Sequence, residues 1–176
     1  MNQSRGEKLT MGPGTVQDLD RILAIEQESF TTPWTRRMLE AELEGSNPFS
    51  RVAIARAGQG TDSQVVGYIC FWIVFDELRV MDLAVARDWR RRGVARALVQ
   101  HALACGRNGG AERALLEVRA SNTAARRLYE GLGFRQVALR AGYYSQPEED
   151  AVLMERASLV EAAEPVLSSQ TGGGEC

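Results

Sequence analysis

Lysine is nearly absent from this chain of 176 residues: Lys8 is the single one, against 20 arginines, and His101 is the only histidine. The formal net charge is −2. Nonspecific nucleic-acid binding needs a broad surplus of cations on one face, so that function class is excluded. Cysteine is scarce as well. Cys70, Cys105 and Cys176 stand far apart with only His101 to join them, which supports neither a disulfide framework nor a zinc cluster and predicts a reducing, cytoplasmic setting. No apolar run approaches the ~20 residues of a membrane span, and Met1–Lys8 lacks the apolar core of a secretory signal. Familiar nucleotide and hydrolase signatures are missing too. No Lys-Ser or Lys-Thr follows a glycine loop, no Gly-x-Ser-x-Gly elbow occurs, and Gly131 with Gly133 follows a helical pattern instead of a strand.

What remains is 44% hydrophobic, enough for one sizeable core. Residues 1–11 are polar and read as a loose start, 157–176 as a weakly ordered tail, and 12–156 as the domain. Asp18 opens a helical pattern with Leu19, Ile22, Leu23, Ile25 and Glu26. A second helix follows Trp34, with Thr35 as N-cap and Met38, Leu39 and Leu43 on one face. Residues 49–57, 64–75 and 77–85 read as strands of an antiparallel meander. From Gly93 to about Arg107, Val94, Ala97, Leu98, His101, Ala102 and Cys105 recur at helical spacing until Asn108-Gly109-Gly110 stops them. Arg113–Val118 is a short apolar strand reached through that crossover helix, which predicts parallel pairing with the strand before Arg90. Ser121 or Asn122 caps a further helix, and residues 134–141 and 151–155 complete the sheet, with Tyr143 and Tyr144 in a loop between them. The class is therefore α/β with a mixed, mostly antiparallel sheet.

The chemistry concentrates where the third strand ends. Met81-Asp-Leu-Ala-Val85 runs into Arg87-Asp-Trp-Arg-Arg-Arg-Gly-Val-Ala-Arg96 where a helix begins. The first turn of a helix carries N–H groups without internal partners and the positive end of the peptide dipoles, so a polyphosphate fits there. Gly93 lets phosphate approach the backbone, Ala95 is the next smallest choice with Val94 between them in the cofactor-binding turn, and Arg90, Arg91, Arg92 and Arg96 add forked cations.

Arg90-x-x-Gly93-x-Ala95 after a Leu-Ala-Val strand end resembles the acetyl-CoA signature of the GNAT N-acetyltransferase family. Leu116-Glu-Val-Arg-Ala-Ser-Asn122 and Leu128-Tyr-Glu-Gly-Leu-Gly-Phe134 are similar to its RimI branch, which acetylates the N-terminal alanine of a ribosomal protein. With Pro33-Trp34 and Tyr143-Tyr144, the likeness spans roughly residues 12–156. It implies a GNAT fold in which the central parallel pair of strands splays and helices cover both faces. It also implies acetyl-CoA as co-substrate, with its pantetheine arm along the backbone of Leu83, Ala84 and Val85 and a further contact at Asn122. No metal, nucleic acid or membrane is expected.

Transfer to an amine needs a base, because an α-amine with a pKa near 8 is mostly protonated at neutral pH. Glu117, between Leu116 and Val118, is the candidate; apolar neighbours are expected to desolvate it. The departing thiolate needs a proton donor, and the resemblance assigns that role to Tyr129. It also implies that Phe30, Trp34, Tyr143 and Tyr144 wall the acceptor's N-terminus. Two other readings stay open: an acetyltransferase for a small-molecule amine, and a noncatalytic CoA-binding regulatory module.

Overall fold

The computed structural model describes residues 8–58 and 60–159, and the rest of the expected loose start and tail lies outside them. Seven strands form one sheet: β1 (Leu9–Pro13), β2 (Ser50–Ala57), β3 (Gln64–Val74), β4 (Glu77–Val85), β5 (Arg113–Arg119), β6 (Arg135–Ser145) and β7 (Glu148–Arg156), in the order β1-β2-β3-β4-β5-β7-β6. Every pairing is antiparallel except β4 with β5. The expected meander is β2-β3-β4, and the parallel pair is reached through helix α3 (Val94–Asn108) as the crossover required.

Helices cover both faces. On one, α3 lays Val94, Leu98, Val99 and Ala102 against Ile69, Phe71, Leu78 and Leu116, with α4 (Thr123–Glu130) contributing Tyr129. On the other, α1 (Leu19–Ser29) and α2 (Arg36–Leu43) press Ile22, Ile25 and Leu39 onto Ile54, Tyr68 and Ala84. β3 is covered from both sides, which is why Val65–Phe71 is a continuous buried run without alternation. The Thr35 hydroxyl caps α2 by accepting from the Met38 N–H at 3.3 Å, as expected. Met38 itself is exposed, so the apolar stripe of α2 is Leu39 alone with Leu43 half-buried.

Several expectations are corrected. Leu9–Met11 is not loose but belongs to β1, paired with β2 through Leu9↔Ala57; a five-residue edge strand needs only backbone partners and leaves a faint apolar signal. At the other end Leu159 is 3% exposed and its N–H donates to the Glu112 carbonyl at 2.7 Å, so order extends past 157. Tyr143 and Tyr144 lie within β6, not in a loop, because the hairpin turn is confined to Gln146-Pro147. Cys70 is a free, buried thiol, whereas Cys105 is disulfide-bonded, so the expectation of three reduced cysteines fails at that position.

The α3–β4 contact is tight enough to test. A Cβ at Gly106 would lie 2.5 Å from Leu78 Cδ1 and 3.2 Å from its Cβ, and Leu78 has no exposure into which to swing. Alanine at a helical glycine ordinarily gains up to about 1 kcal/mol, but overpacking a closed core costs about 1–3 kcal/mol. Gly106→Ala is therefore expected to lower the melting temperature; an unchanged or raised melting temperature would contradict this packing.

Candidate active site

The parallel pair is short. β4 and β5 stay in register from Glu77↔Arg113 to Val80↔Leu116 and then part. Beyond that point Met81–Val85 pairs only with β3 and Glu117–Arg119 only with β7. The cause lies in β4 itself. Cys70 faces Asp82 while the next residue, Phe71, faces Val80, so Met81 is an extra residue that bends the strand away from β5. The result is a cleft of about 710 Å³ passing through the sheet between the separated strands.

Along β4 the cleft has an open backbone edge. The Ala86 N–H donates to Val66 of β3 at 2.8 Å, so by the period of a strand Leu83 and Val85 turn their N–H and C=O groups the other way, into the opening. Leu83, Ala84 and Val85 all line it. The Leu83 N–H is taken by Asp82 Oδ1 and the Val85 carbonyl by Arg90 Nε, each at 2.9 Å, so an extended chain of amides, such as a pantetheine arm, finds the Leu83 carbonyl and the Val85 N–H there.

α3 starts at the end of this edge. Gly93 is its N-cap with φ +82°, a left-handed conformation that other residues adopt only with strain, and a Cβ there would meet nothing within 4 Å. Open space in front of a 15-residue helix suits a phosphate group. The arginines are less uniform than the sequence suggested. Arg90 Nε donates to the Val85 carbonyl at 2.9 Å and Nη2 to Ser29 Oγ at 3.0 Å, so this side chain braces the turn against α1. The Arg92 guanidinium sits 5.0 Å from the Trp89 ring centre, and Arg96 Nη2 donates to the Gly131 carbonyl at 3.4 Å. Arg91 occupies the corner with φ +63°. Of the turn, Arg90 and Ala95 reach the cleft lining.

Glu117 is the first residue of β5 past the last β4 pair and lines the cleft. Its side chain is 25% exposed and, beyond what its apolar neighbours suggested, is ion-paired with Arg140 of β6. The Tyr143 hydroxyl is held above its ordinary pKa by hydrogen bonding to Glu117, with burial second. Tyr143 is 49% exposed and outside the cleft lining, whereas Tyr144 is in it, with Arg119 4.1 Å above its ring. Phe30 and Trp34 line the same opening.

On the α4 side, Asn122 Oδ1 accepts from the Ala125 N–H at 3.1 Å, which makes it the helix cap as well as a lining residue. Tyr129 is buried against Phe134, ring centres 5.7 Å apart. Burial, and next the charge of Asp82, raise its pKa, so its hydroxyl keeps its proton through neutral pH.

Sequence reasoning missed an acidic trio. The Tyr68 hydroxyl lies within hydrogen-bond reach of Glu26 and of Asp82, the latter at 2.7 Å, and both carboxylates line the cleft. Glu26 is 1% exposed and its Oε1 accepts from the Trp34 N–H at 2.6 Å. The signal was present: Glu26 falls on the apolar stripe of α1, and Asp82 interrupts the apolar run of β4. A carboxylate at such a position costs several kcal/mol of desolvation unless it is used or paired.

Residues 19–134 match the acetyltransferase (GNAT) family. The chain belongs to the GNAT family. Among this GNAT chain's relatives, ribosomal protein bS18-alanine N-acetyltransferase of Escherichia coli strain K12 is 33% identical over 139 residues, spanning 78% of this chain and 89% of that protein. An N-alpha-acetyltransferase of Saccharolobus solfataricus is 30% identical over 167 residues, 88% and 96% of the respective chains. The crystal structure of the E. coli ribosomal-protein-S18-alanine N-acetyltransferase superposes with a TM-score of 0.76 at 28% identity, over 92% of this chain and all of that one. This GNAT is therefore an N-acetyltransferase that uses acetyl-CoA. Among the described residues no helix is long and apolar enough to cross a membrane.

Proposed function

We propose that this GNAT acetylates the α-amine of a protein N-terminus, with the N-terminal alanine of a ribosomal protein as the favoured acceptor and the cytoplasm as its place of action. The observation that carries the reading is the two-sided cleft: the open β4 edge on one side, and on the other a mouth walled by chain segments suited to a peptide end. Those walls are the Phe30–Trp34 connection and the β6–β7 hairpin, and they touch where Thr31 Oγ1 donates to the Gln146 carbonyl at 3.4 Å. Arg119 fixes the hairpin tip through the Gln146 and Pro147 carbonyls at 3.1 and 3.2 Å. Carboxylates at Glu26, Asp82, Glu117 and Glu149 line the cleft and favour an incoming ammonium. Glu149 accepts from the Ser121 N–H at 2.5 Å, and this hydrogen bonding holds its carboxyl below the usual range, so it stays ionised.

Acetyl-CoA supplies an activated acetyl thioester. The residues present fit it: the N–H groups of Val94, Ala95 and Arg96 with Gly93 and Arg91 for the diphosphate, and Leu83–Val85 for the pantetheine arm. Asn122 adds an amide beside them. Glu117 takes a proton from the acceptor ammonium, directly or through water. Tyr129 donates its hydroxyl hydrogen to the departing sulfur. Both substrates are held together, so the enzyme needs no covalent intermediate. Arg92 and Arg96 lie at the outer rim, where exposed cations attract the phosphates. Phe30, Trp34 and Tyr144 wall the acceptor directly, while Tyr143 acts from outside through Glu117.

The test is acetyl transfer to a panel of short peptides that differ in their first residue, with spermidine as a small-amine control. The expected outcome is preferential acetylation of the peptide beginning with alanine, on its α-nitrogen. Equal or faster transfer to spermidine would replace the peptide reading by a small-amine one.

A further inference from the structure

The Glu26–Tyr68–Asp82 trio moves no proton in the chemistry above, yet it stands where the sheet opens, with Glu26 and Tyr68 buried and Asp82 half-buried. Its hydrogen count is informative. Tyr68 has one hydrogen and two carboxylates beside its oxygen, so both contacts are hydrogen bonds only when a carboxyl carries a proton as well. A carboxyl that close to a second carboxylate resists ionisation, and Asp82 does so here. Desolvation, then the charge of Glu26, pushes the Asp82 carboxyl up to about 7, against the opposing hydrogen bonds from the Tyr68 hydroxyl and the Leu83 N–H at 2.9 Å.

The placement is equally specific. Asp82 follows the bulged Met81 on β4 and Glu117 follows Leu116 on β5, so the strands carry one carboxylate each just past their last pair, Val80↔Leu116. Both line one cleft. Asp82 also acts on Tyr129 through its charge, and on Cys70, whose thiol burial and Glu42 push up further. The titratable groups facing Asp82 are thus Glu26 from α1, Tyr68 and Cys70 from β3, and Tyr129 from α4.

Resting on the amine-transfer reading above, we propose that Asp82, held by Tyr68 and Glu26, is a second proton acceptor of the reaction, standing across the splay from Glu117. An ammonium sheds two protons on its way to an amide, while sulfur gains one. The C–N bond forms and the C–S bond breaks with its electron pair on sulfur. One nitrogen proton goes to Glu117, the other to Asp82, and sulfur takes the hydroxyl hydrogen of Tyr129. Resetting the three groups releases one net proton to solvent, which balances the conversion of an ammonium and a thioester into an amide and a thiol. Asp82 serves only when ionised, so its contribution rises as pH climbs through neutrality.

The acceptor amine also titrates near there, and no enzyme variant alters that pKa in the free peptide. Opposed shifts between variants therefore separate the two. The measurement is kcat against pH with the alanine peptide at saturating acetyl-CoA, with acetyl-CoA affinity by calorimetry in parallel. Asp82→Asn is expected to lower kcat about 10²-fold with affinity retained, and Asp82→Glu to restore part of it. Tyr68→Phe removes a hydrogen bond that favours ionised Asp82 and moves the rising limb to higher pH. Glu26→Gln removes a like charge and moves it to lower pH. These opposed shifts decide the matter even if Asp82→Asn fails to fold. Parent-like pH profiles in Tyr68→Phe and Glu26→Gln, or a uniform loss in Asp82→Asn reproduced by Asp82→Glu, overturn the proposal. A parent enzyme that acetylates no peptide at all overturns the amine-transfer reading beneath it, an outcome distinct from either.

Discussion

Glu117→Gln lowers kcat for acetyl transfer by about 10²–10⁴-fold and leaves both acetyl-CoA affinity and the fold nearly intact. The substitution keeps the shape of the side chain at the mouth of the splay and removes only its capacity to accept a proton. What it breaks structurally is the ion pair with Arg140, whose side chain is 55% exposed. A pair so open to water is worth no more than about 1 kcal/mol, too little to account for a rate loss of that size. In the proposed arrangement acetyl-CoA affinity depends instead on the β4 edge and the α3 turn. Steady-state rates combined with calorimetry check the prediction. Unchanged rates remove Glu117 as base, and a loss of affinity equal to the loss in rate would make it a binding residue.

Gly93→Val weakens acetyl-CoA binding by at least about tenfold, equivalent to about 1.4 kcal/mol. Two effects contribute and they can be told apart. A non-glycine residue at φ +82° costs about 1–2 kcal/mol, more for a β-branched one, and this lowers thermal stability. A Cβ at Gly93 meets no protein atom within 4 Å, so the added methyl groups project into the space in front of the helix. That is the position proposed for the diphosphate. Gly93→Ala carries most of the strain with less of the obstruction, so Ala and Val should match in stability loss more closely than in affinity loss. Reduced stability with unaltered affinity in both would show that the phosphates sit elsewhere.

How far the sequence reaches differs between fold and site. The helices α1 and α3 were legible because one face of each is buried and their apolar spacing follows it, while β3 was legible as an unbroken apolar run because both of its faces are covered. The parallel pairing followed from chain connectivity, since a strand reached through a helix can lie parallel to the one it left. β1 was not legible because a short edge strand is held by backbone bonds to β2 that any residue can make. The extent of β6 was hidden for a related reason. Its residues are almost all exposed, so no alternation marks them and only the pairing with β7 reveals a strand.

At the site, motif residues gave positions but not partners. The register places Glu117 just past the last β4–β5 pair, but its ion pair with Arg140 depends on β6 lying beyond β7, which no local pattern encodes. Arg90 belongs to the phosphate signature by spacing, yet its guanidinium is spent on Val85 and Ser29. The bulge at Met81 that opens the cleft is a mismatch between two strands and has no signature in either one alone. The acidic trio is the instructive omission. A glutamate on an apolar helical face and an aspartate inside an apolar strand are each costly, and that cost was itself the signal.

The most direct measurement of the central claim is a crystal structure of the protein soaked with acetyl-CoA. The expected result has the diphosphate against the N–H groups that follow Gly93, the pantetheine amides paired with the backbone of Leu83 and Val85, and the thioester between Glu117 and Tyr129. Clear density for the ligand anywhere else on the protein, with the splay between β4 and β5 left unfilled, would contradict it.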